Sequence, residues 1–405
     1  ASLRTDQVAN LGTDQIVALT TAQVTSITTA GVAVLSTDQI QAMESTDLST
    51  LTTAQVQALT TAGVAALKTE QVQALKTAQV AALKSTQAQA LTTEQVVALT
   101  TAQVVALTTL NIAVLGTEQV AAIETGDIKV LSTAQVQALT TTGVAALTTE
   151  QVQALTTVQV SNLKTTQAQA LTTEQVVALT TAQAQALATT AIAALDTAQI
   201  GALETVDLAV LGASQIGAIK ASQAAGLTTD QIASLSTVQI SNVSTAVVAA
   251  LDTVQVGAIE TADIAAMKTT QIAALTTAQV VGITTDQLVA LTTAQVQALT
   301  TAVVAVLGSD QAGALETRDV AVLSTAQVRA LGTTALSALN SAQVQALSTA
   351  ALAGISTAQA QALTTDQIQA LTTAQVVALS TANIASLTTA QVAALETRDV
   401  KVMST

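Results

Sequence analysis

An eight-residue repeat runs through the whole chain without a single insertion or deletion. Residue 3 and every eighth residue after it, up to residue 403, is leucine, isoleucine, methionine or valine. We call this residue position 0 and number the rest of each octad from 1 to 7. Because loops normally tolerate insertions, an unbroken count predicts that neighbours on both sides hold each octad in place. Such arrays are typical of solenoids, in which each repeat contacts adjacent repeats.

The octad divides into apolar and polar positions. Position 5, from Val8 to Val400, is always valine, isoleucine, leucine or alanine, and position 7 is mostly alanine. Position 2 is threonine or serine except at Ala213 and Ala221, and position 4 is usually glutamine. Positions 1, 3, 4 and 6 carry every charge. This division predicts that positions 0, 2, 5 and 7 face inward and that positions 1, 3, 4 and 6 face outward.

The distribution of charge along the octad favours a short helix. Acidic residues occur at positions 1, 3 and 4, whereas position 6 has no acid and holds the basic Lys129, Arg329 and Lys401. Suppose that the threonine at position 2 caps a helix that runs from position 3 to position 0 of the next octad. The acids then lie near the start of the helix, where its dipole favours them, and threonine is a preferred cap residue. Alanine, leucine and glutamine are good helix formers. We therefore predict an all-α solenoid of about fifty short helices, one in each octad.

A β-solenoid is the alternative. Positions 5 to 7 and 0 to 2 each alternate in-out-in, so each octad could hold two three-residue strands with corners at positions 3 and 4. The corners would contain almost no glycine, asparagine or proline, and alanine and glutamine are poor strand formers.

Helices of six residues are unstable alone, so in the helical interpretation the octads must stack. Two octads per helical hairpin would give about 25 layers of a rigid rod.

A longer period is superimposed on the octads. In six octads, position 1 is glutamate and position 4 is aspartate instead of glutamine. Their glutamates are Glu44, Glu124, Glu204, Glu260, Glu316 and Glu396. Two octads before each of them, position 4 again lacks glutamine and holds Gly31, Asn111, Ala191, Val247, Val303 or Asn383. Duplication of a block is one explanation of this pattern, and the alternatives are a contact repeated along a fibre or a weak cation site. For the Glu-x-x-Asp pairs themselves, the alternative to a cation site is a solvated acidic pair at a helix N-terminus.

The composition excludes several classes of function. The chain has no histidine, cysteine or aromatic residue and a net charge of −14, so we predict no enzyme activity, no catalytic or metal site and no cofactor. Nucleic-acid binding would require basic tracts or stacking surfaces. A membrane span would require about 20 apolar residues, whereas a threonine-rich break occurs in every octad. We expect residues 1–405 to form a single uninterrupted array of octads, and we expect this array to be part of a longer chain.

The octads carry a family resemblance. "LTTEQVVAL" at residues 91–99 is similar to the helix opening of plant-pathogen TAL effector repeats, but the period is eight and no base-reading loop follows, so we exclude that family. The whole chain resembles the Thr-x-Gln-Val-x-Ala-Leu octapeptide arrays of very large secreted proteobacterial proteins of adhesin-like or surface type. The resemblance implies an extracellular or cell-surface location and a structural role, and it implies no site.

These observations lead to three hypotheses about function. The first is a non-catalytic extracellular rod that assembles with copies of itself into a filament or surface layer. The second is an adhesin stalk or binding module, with the bacterial cell surface as a partner. The third is a functional amyloid, which depends on the strand interpretation.

Overall fold

A computed structural model describes residues 3–403, and all regular secondary structure in that range is helical. One helix of four to six residues occupies each octad, and a single one of these helices is a 3-10 helix. The all-α prediction, with one short helix in each octad, is therefore confirmed. No strand occurs within residues 3–403, so the β-solenoid alternative is wrong there.

The helices fall into two compact units, one that ends at Leu195 and one that begins at Asp196. The helices of the first unit are Thr5–Ala9, Thr13–Val17, Thr21–Thr25, Thr29–Val32, Thr37–Ala42, Ser45–Leu48, Thr53–Ala58, Thr61–Ala65, Thr69–Ala74, Thr77–Ala81, Ser85–Gln89, Thr93–Ala98, Thr101–Ala106, Thr109–Ala113, Thr117–Ala121, Thr125–Val130, Thr133–Ala138, Thr141–Ala145, Thr149–Ala154, Thr157–Ser161, Thr165–Gln169, Thr173–Val177, Thr181–Ala186 and Thr189–Ile192. Those of the second unit are Thr197–Ala202, Thr205–Ala209, Ala213–Gly217, the 3-10 helix Ala221–Gly226, Thr229–Ala233, Thr237–Ile240, Thr245–Ala250, Thr253–Gly257, Thr261–Ala266, Thr269–Ala273, Thr277–Val280, Thr285–Ala290, Thr293–Ala298, Thr301–Ala305, Ser309–Ala314, Thr317–Ala321, Thr325–Ala330, Thr333–Ser337, Ser341–Ala346, Thr349–Ala353, Thr357–Ala362, Thr365–Ala370, Thr373–Ala378, Thr381–Ser386, Thr389–Ala394 and Thr397–Val400.

Each helix begins one residue earlier than the sequence analysis predicts. In a typical octad the cap is Thr52, at position 1, and Thr53 is already helical. The Thr52 hydroxyl accepts the N–H of Gln55, and the Gln55 side chain accepts the N–H of Thr52. This capping box requires a spacing of three residues between its members. Position 1 satisfies that spacing and position 2 does not, so the assignment of the cap to position 2 is wrong.

The described helices end without a proline or a left-handed residue. Leu59, at position 0 of the next octad, is extended with φ −55° and ψ 136°, and its N–H donates to the carbonyl of Val56 at 3.2 Å. The cap at position 1 is extended as well, so two successive extended residues turn the chain into the next helix. No residue described by the structure has a positive φ. The connection therefore needs no left-handed residue, which explains how the array dispenses with the usual turn residues.

Within each unit, a helix packs against the helix three octads away. Thr77–Ala81 lies against Thr101–Ala106 in the first unit, and Thr325–Ala330 lies against Thr349–Ala353 in the second. Side-chain hydrogen bonds connect residues 28 and 31 positions apart, such as Gln159 with Leu131 and Ile128. One turn of the solenoid thus takes between three and four octads. The expectation of two octads per layer is wrong.

Positions 0 and 5 form the core, as predicted. Val56 is fully buried and Leu59 is 4% exposed, and the same two positions are buried along most of the array. Two other positions differ from the prediction. Thr53, at position 2, is exposed, whereas Gln55, at position 4, is only 3% exposed. Alanine at position 7 is mostly half-buried.

Candidate functional site

The buried glutamine at position 4 joins successive turns of the solenoid. Gln159 is a representative case, because its Oε1 accepts the N–H of Thr156 at 2.7 Å. Its Nε2 donates to the carbonyls of Ile128 at 2.9 Å and Leu131 at 2.7 Å. One amide therefore caps its own helix and bonds two carbonyls of the preceding turn. We call this arrangement the glutamine rung.

This role of position 4 was not predicted from the sequence, because aspartate also occurs there and a charge suggested an outward side chain. A second signal in the sequence pointed the other way. Position 4 never holds lysine, arginine or glutamate, although the adjacent position 3 holds glutamate in several octads. A position that accepts short polar and apolar residues but no long charged one is typical of a buried, size-limited environment.

The six Glu-x-x-Asp octads place their two carboxylates in different environments. The glutamate occupies the cap position without capping its helix, as at Glu44, and its side chain is accessible. The aspartate takes the place of the rung glutamine and is buried. The exposed fraction is 4% for Asp47 and 0% for both Asp319 and Asp399. The interpretation of these pairs as solvated is therefore wrong for the aspartates.

The buried aspartates have two kinds of surroundings. A threonine hydroxyl of the preceding turn donates to Asp47 from Thr21 at 2.8 Å and to Asp399 from Thr373 at 2.7 Å. Asp319 has no such partner, because neither of its oxygens makes a hydrogen bond with the described part of the chain.

An arginine lies beside two of these aspartates. Arg318 Nε lies 3.8 Å from Asp319 Oδ1 and pairs more closely with Glu316, at 2.6 Å. Arg398 is placed in the same way beside Asp399 and Glu396. Because each arginine is largely exposed and held by the exposed glutamate, it compensates the buried carboxylate only in part.

Burial and hydrogen bonding shift the pKa of acidic side chains in opposite directions. Burial raises the pKa of Asp319 above its ordinary value, against the opposing effect of the Arg318 guanidinium. Burial, with a smaller contribution from Glu260, likewise raises the pKa of Asp263. At exposed position 3, the backbone N–H of Glu94 and then the hydroxyl of a neighbouring threonine lower the pKa of the Glu94 carboxyl.

The described residues bring together no constellation that resembles an active site. Within residues 3–403 there is no group of three or more side chains that could hold a metal ion. Open clefts occur on the surface where glycine replaces threonine at position 1. The cleft beside Gly308 measures about 600 Å³ and is lined by Val281, Val306, Asp310 and Gln311, among others. None of the helices in this range is long and apolar enough to cross a membrane.

A family model described as the ALTTAQ repeat matches the chain ten times. The matches cover residues 8–43, 40–77, 72–101, 120–157, 200–237, 256–293, 283–317, 312–349, 344–373 and 372–405. Together these segments span most of the chain. A comparison with curated proteins finds no match.

Proposed function

This chain belongs to the ALTTAQ repeat family, and from that premise we propose that it is a non-catalytic extracellular structural protein that assembles with copies of itself into a filament or surface layer. A chain that devotes every octad to one scaffold is suited to a mechanical rather than a chemical task. The similarity to octapeptide arrays of secreted surface proteins supports the extracellular or cell-surface location.

The observation that carries the self-assembly proposal is the exposure of large apolar side chains. Val281 is 77% exposed, Leu110 70%, Val254 66%, Val238 62% and Val158 60%. Only 9% of the residues are charged. Low surface charge and exposed aliphatic groups favour association between protein surfaces.

Two of these valines lie on neighbouring turns of the second unit. Val254 follows Thr253, and Val281 precedes Gly282. The backbones of Thr253 and Gly282 approach so closely that a Cβ on Gly282 would collide with the Thr253 carbonyl. The two valines therefore offer a shared apolar surface, which we propose as a contact between copies.

The test combines sedimentation with negative-stain electron microscopy. We expect the parent chain to form filaments or sheets, and a Val254→Lys, Val281→Lys double variant to remain dispersed with an unchanged helical circular dichroism spectrum. A matched control, Gln297→Lys with Gln361→Lys, adds the same charge at exposed sites and should assemble normally. A parent chain that stays monomeric at high concentration would refute self-assembly.

The adhesin stalk is the second proposal, and it shares the extracellular location. Its support is the same similarity to surface proteins, together with exposed threonines at position 2 such as Thr53. A monomeric chain that binds intact bacterial cells would favour it over the filament. The functional-amyloid hypothesis depends on strands, and residues 3–403 contain no strand, so we do not propose it.

A further inference from the structure

The glutamine rung needs a side chain that donates as well as accepts. Its Oε1 accepts the cap N–H, and its Nε2 donates to two carbonyls of the preceding turn. An ionised aspartate at the same position has only acceptor oxygens. At Asp319 the corresponding carbonyls belong to Leu291 and Leu288, which are 28 and 31 residues earlier. Within the described part of the chain neither oxygen of Asp319 makes a hydrogen bond, so an ionised Asp319 leaves this rung without its donor.

Two asparagines in the array show what a side chain of this length can reach. Asn111 occupies position 4 in the first unit, and its Nδ2 donates to the carbonyl of Leu83, 28 residues earlier, at 2.9 Å. Asn383 does the same in the second unit with the carbonyl of Ile355, at 3.2 Å. Asparagine and protonated aspartic acid have the same shape. A protonated carboxyl at position 4 can therefore make the bond that the carboxylate cannot.

We propose that Asp319 is a proton-dependent rung, which donates to the carbonyl of Leu291 when its carboxyl is protonated and loses that bond when it ionises. The contact between these two turns is therefore more stable in acid than at neutral pH. The inference is independent of the proposed extracellular role, because it concerns only the contact between two turns of one chain.

Few charged groups act on Asp319. The helices packed most closely against the helix of Asp319 are Thr293–Ala298 and Ser341–Ala346, and neither carries a titratable residue. The helix Thr285–Ala290, which contains Leu288, carries the exposed Asp286. On its own helix and cap lie Arg318 and Glu316, which pair with each other. Burial therefore dominates, and it raises the pKa of Asp319 above its ordinary value.

Asp263 also lies at position 4 of a Glu-x-x-Asp octad, but no arginine precedes it. We include it as a second proton-dependent rung. It is 3% exposed, and its counterpart carbonyl, 28 residues earlier, belongs to Leu235. The packed helices Thr237–Ile240 and Thr285–Ala290 contribute one charged residue, the exposed Asp286. Asp47 and Asp399 differ from both, since a threonine hydroxyl of the preceding turn donates to the carboxylate of each.

The direction of the pH effect follows from the raised pKa. A group whose pKa is higher in the folded chain stabilises that chain fully below its ordinary value, about 3.9 for aspartate. This stabilisation is lost as the pH rises through the raised value. The Asp319→Asn variant keeps a donor at every pH. It should therefore be more resistant to urea than the parent chain at pH 7, and this advantage should disappear at pH 3.5.

Two controls separate the rung from other effects. Asp310→Asn removes an exposed charge one octad away and should produce no pH-dependent gain. Asp319→Ala removes the buried charge without supplying a donor, and it should recover less urea resistance than Asp319→Asn. If Asp319→Asn gave the same difference from the parent at both pH values, or a gain no larger than that of Asp310→Asn, the proposal would be overturned.

A second measurement uses the unmodified chain and does not depend on any variant. Carboxyl carbon NMR of chain labelled at its fifteen aspartates reports the titration of each carboxyl group. We expect at least one resonance to titrate well above the exposed aspartates. Titration of every aspartate at or below the ordinary value would refute the proton-dependent rung.

Discussion

Replacement of Gln159 by methionine is the sharpest test of the glutamine rung. Methionine has nearly the same length and shape as glutamine but neither donates nor accepts a strong hydrogen bond. Gln159 is 2% exposed and makes three side-chain bonds, one from the Thr156 N–H and two to the carbonyls of Ile128 and Leu131. The substitution therefore removes the polar contacts of one rung while it largely preserves the packing.

The expected loss follows from those three bonds. A buried hydrogen bond contributes about 1 kcal/mol net, and a polar group left buried without a partner costs about 1–3 kcal/mol. The carbonyl of Ile128 keeps a bond from the N–H of Leu131 at 3.3 Å, whereas the carbonyl of Leu131 loses the donor that Gln159 supplied. We expect Gln159→Met to lower the free energy of unfolding of the surrounding turns by about 3 kcal/mol.

The assay must report locally, because a repeat array need not unfold in a single step. Native-state hydrogen exchange measures the opening of the turns that contain residues 128–131 and 156–159. Gln153→Met, at exposed position 6 of the preceding octad, is the matched control and should change stability by less than about 0.5 kcal/mol. A Gln159→Met variant as stable as this control would refute the structural role of the rung.

Three further predictions concern the cap, a close contact and acid stability. Thr52→Ala should cost about 1 kcal/mol in urea denaturation because position 1 is the cap, whereas Thr53→Ala should be neutral, and the reverse order would contradict the observed helix start. Gly282→Ala should destabilise the second unit in thermal denaturation because its Cβ would collide with a backbone carbonyl, whereas Gly126→Ala, with open space around it, should be neutral or stabilising. Because the pKa of Glu94 is lowered, its carboxylate contributes to stability above the ordinary pKa, and this contribution is lost as the pH falls through the lowered value. Glu94→Gln should therefore reduce the difference in urea midpoint between pH 7 and pH 3. An unchanged difference would contradict this prediction.

Much of the fold can be predicted from the periodicity of apolar residues. The buried pair Val56 and Leu59 lies at position 5 of one octad and position 0 of the next. These residues are three apart, the spacing at which two residues share a face of a helix. The absence of acids at position 6 and their enrichment near the cap indicate the helix direction, because the dipole acts over the first and last turns. These local properties depend only on residues within one octad.

The errors arise where a residue's environment depends on a distant octad. Gln55 is buried because it bonds the carbonyls of Val24 and Ile27, about thirty residues earlier, and no local pattern contains that partner. The number of octads in a turn has the same origin. The number of octads in a turn follows from the angle between successive helices, which the extended residues at positions 0 and 1 determine. The eight-residue hydrophobic period does not contain that angle.

The glutamine rung also explains why the octads are never interrupted. Gln159 finds its acceptors 28 and 31 residues earlier, in Leu131 and Ile128, and the next glutamine, Gln167, finds Leu139 and Val136 at the same two separations. One extra residue between Leu139 and Gln159 would change the separation for every rung that spans the insertion. Within a unit, between three and four rungs span a given point, so the insertion would disrupt several buried amides at once. An array held by such overlapping long-range bonds can gain or lose whole octads and keep both separations in every rung, whereas the gain or loss of a single residue breaks them in every rung that spans it.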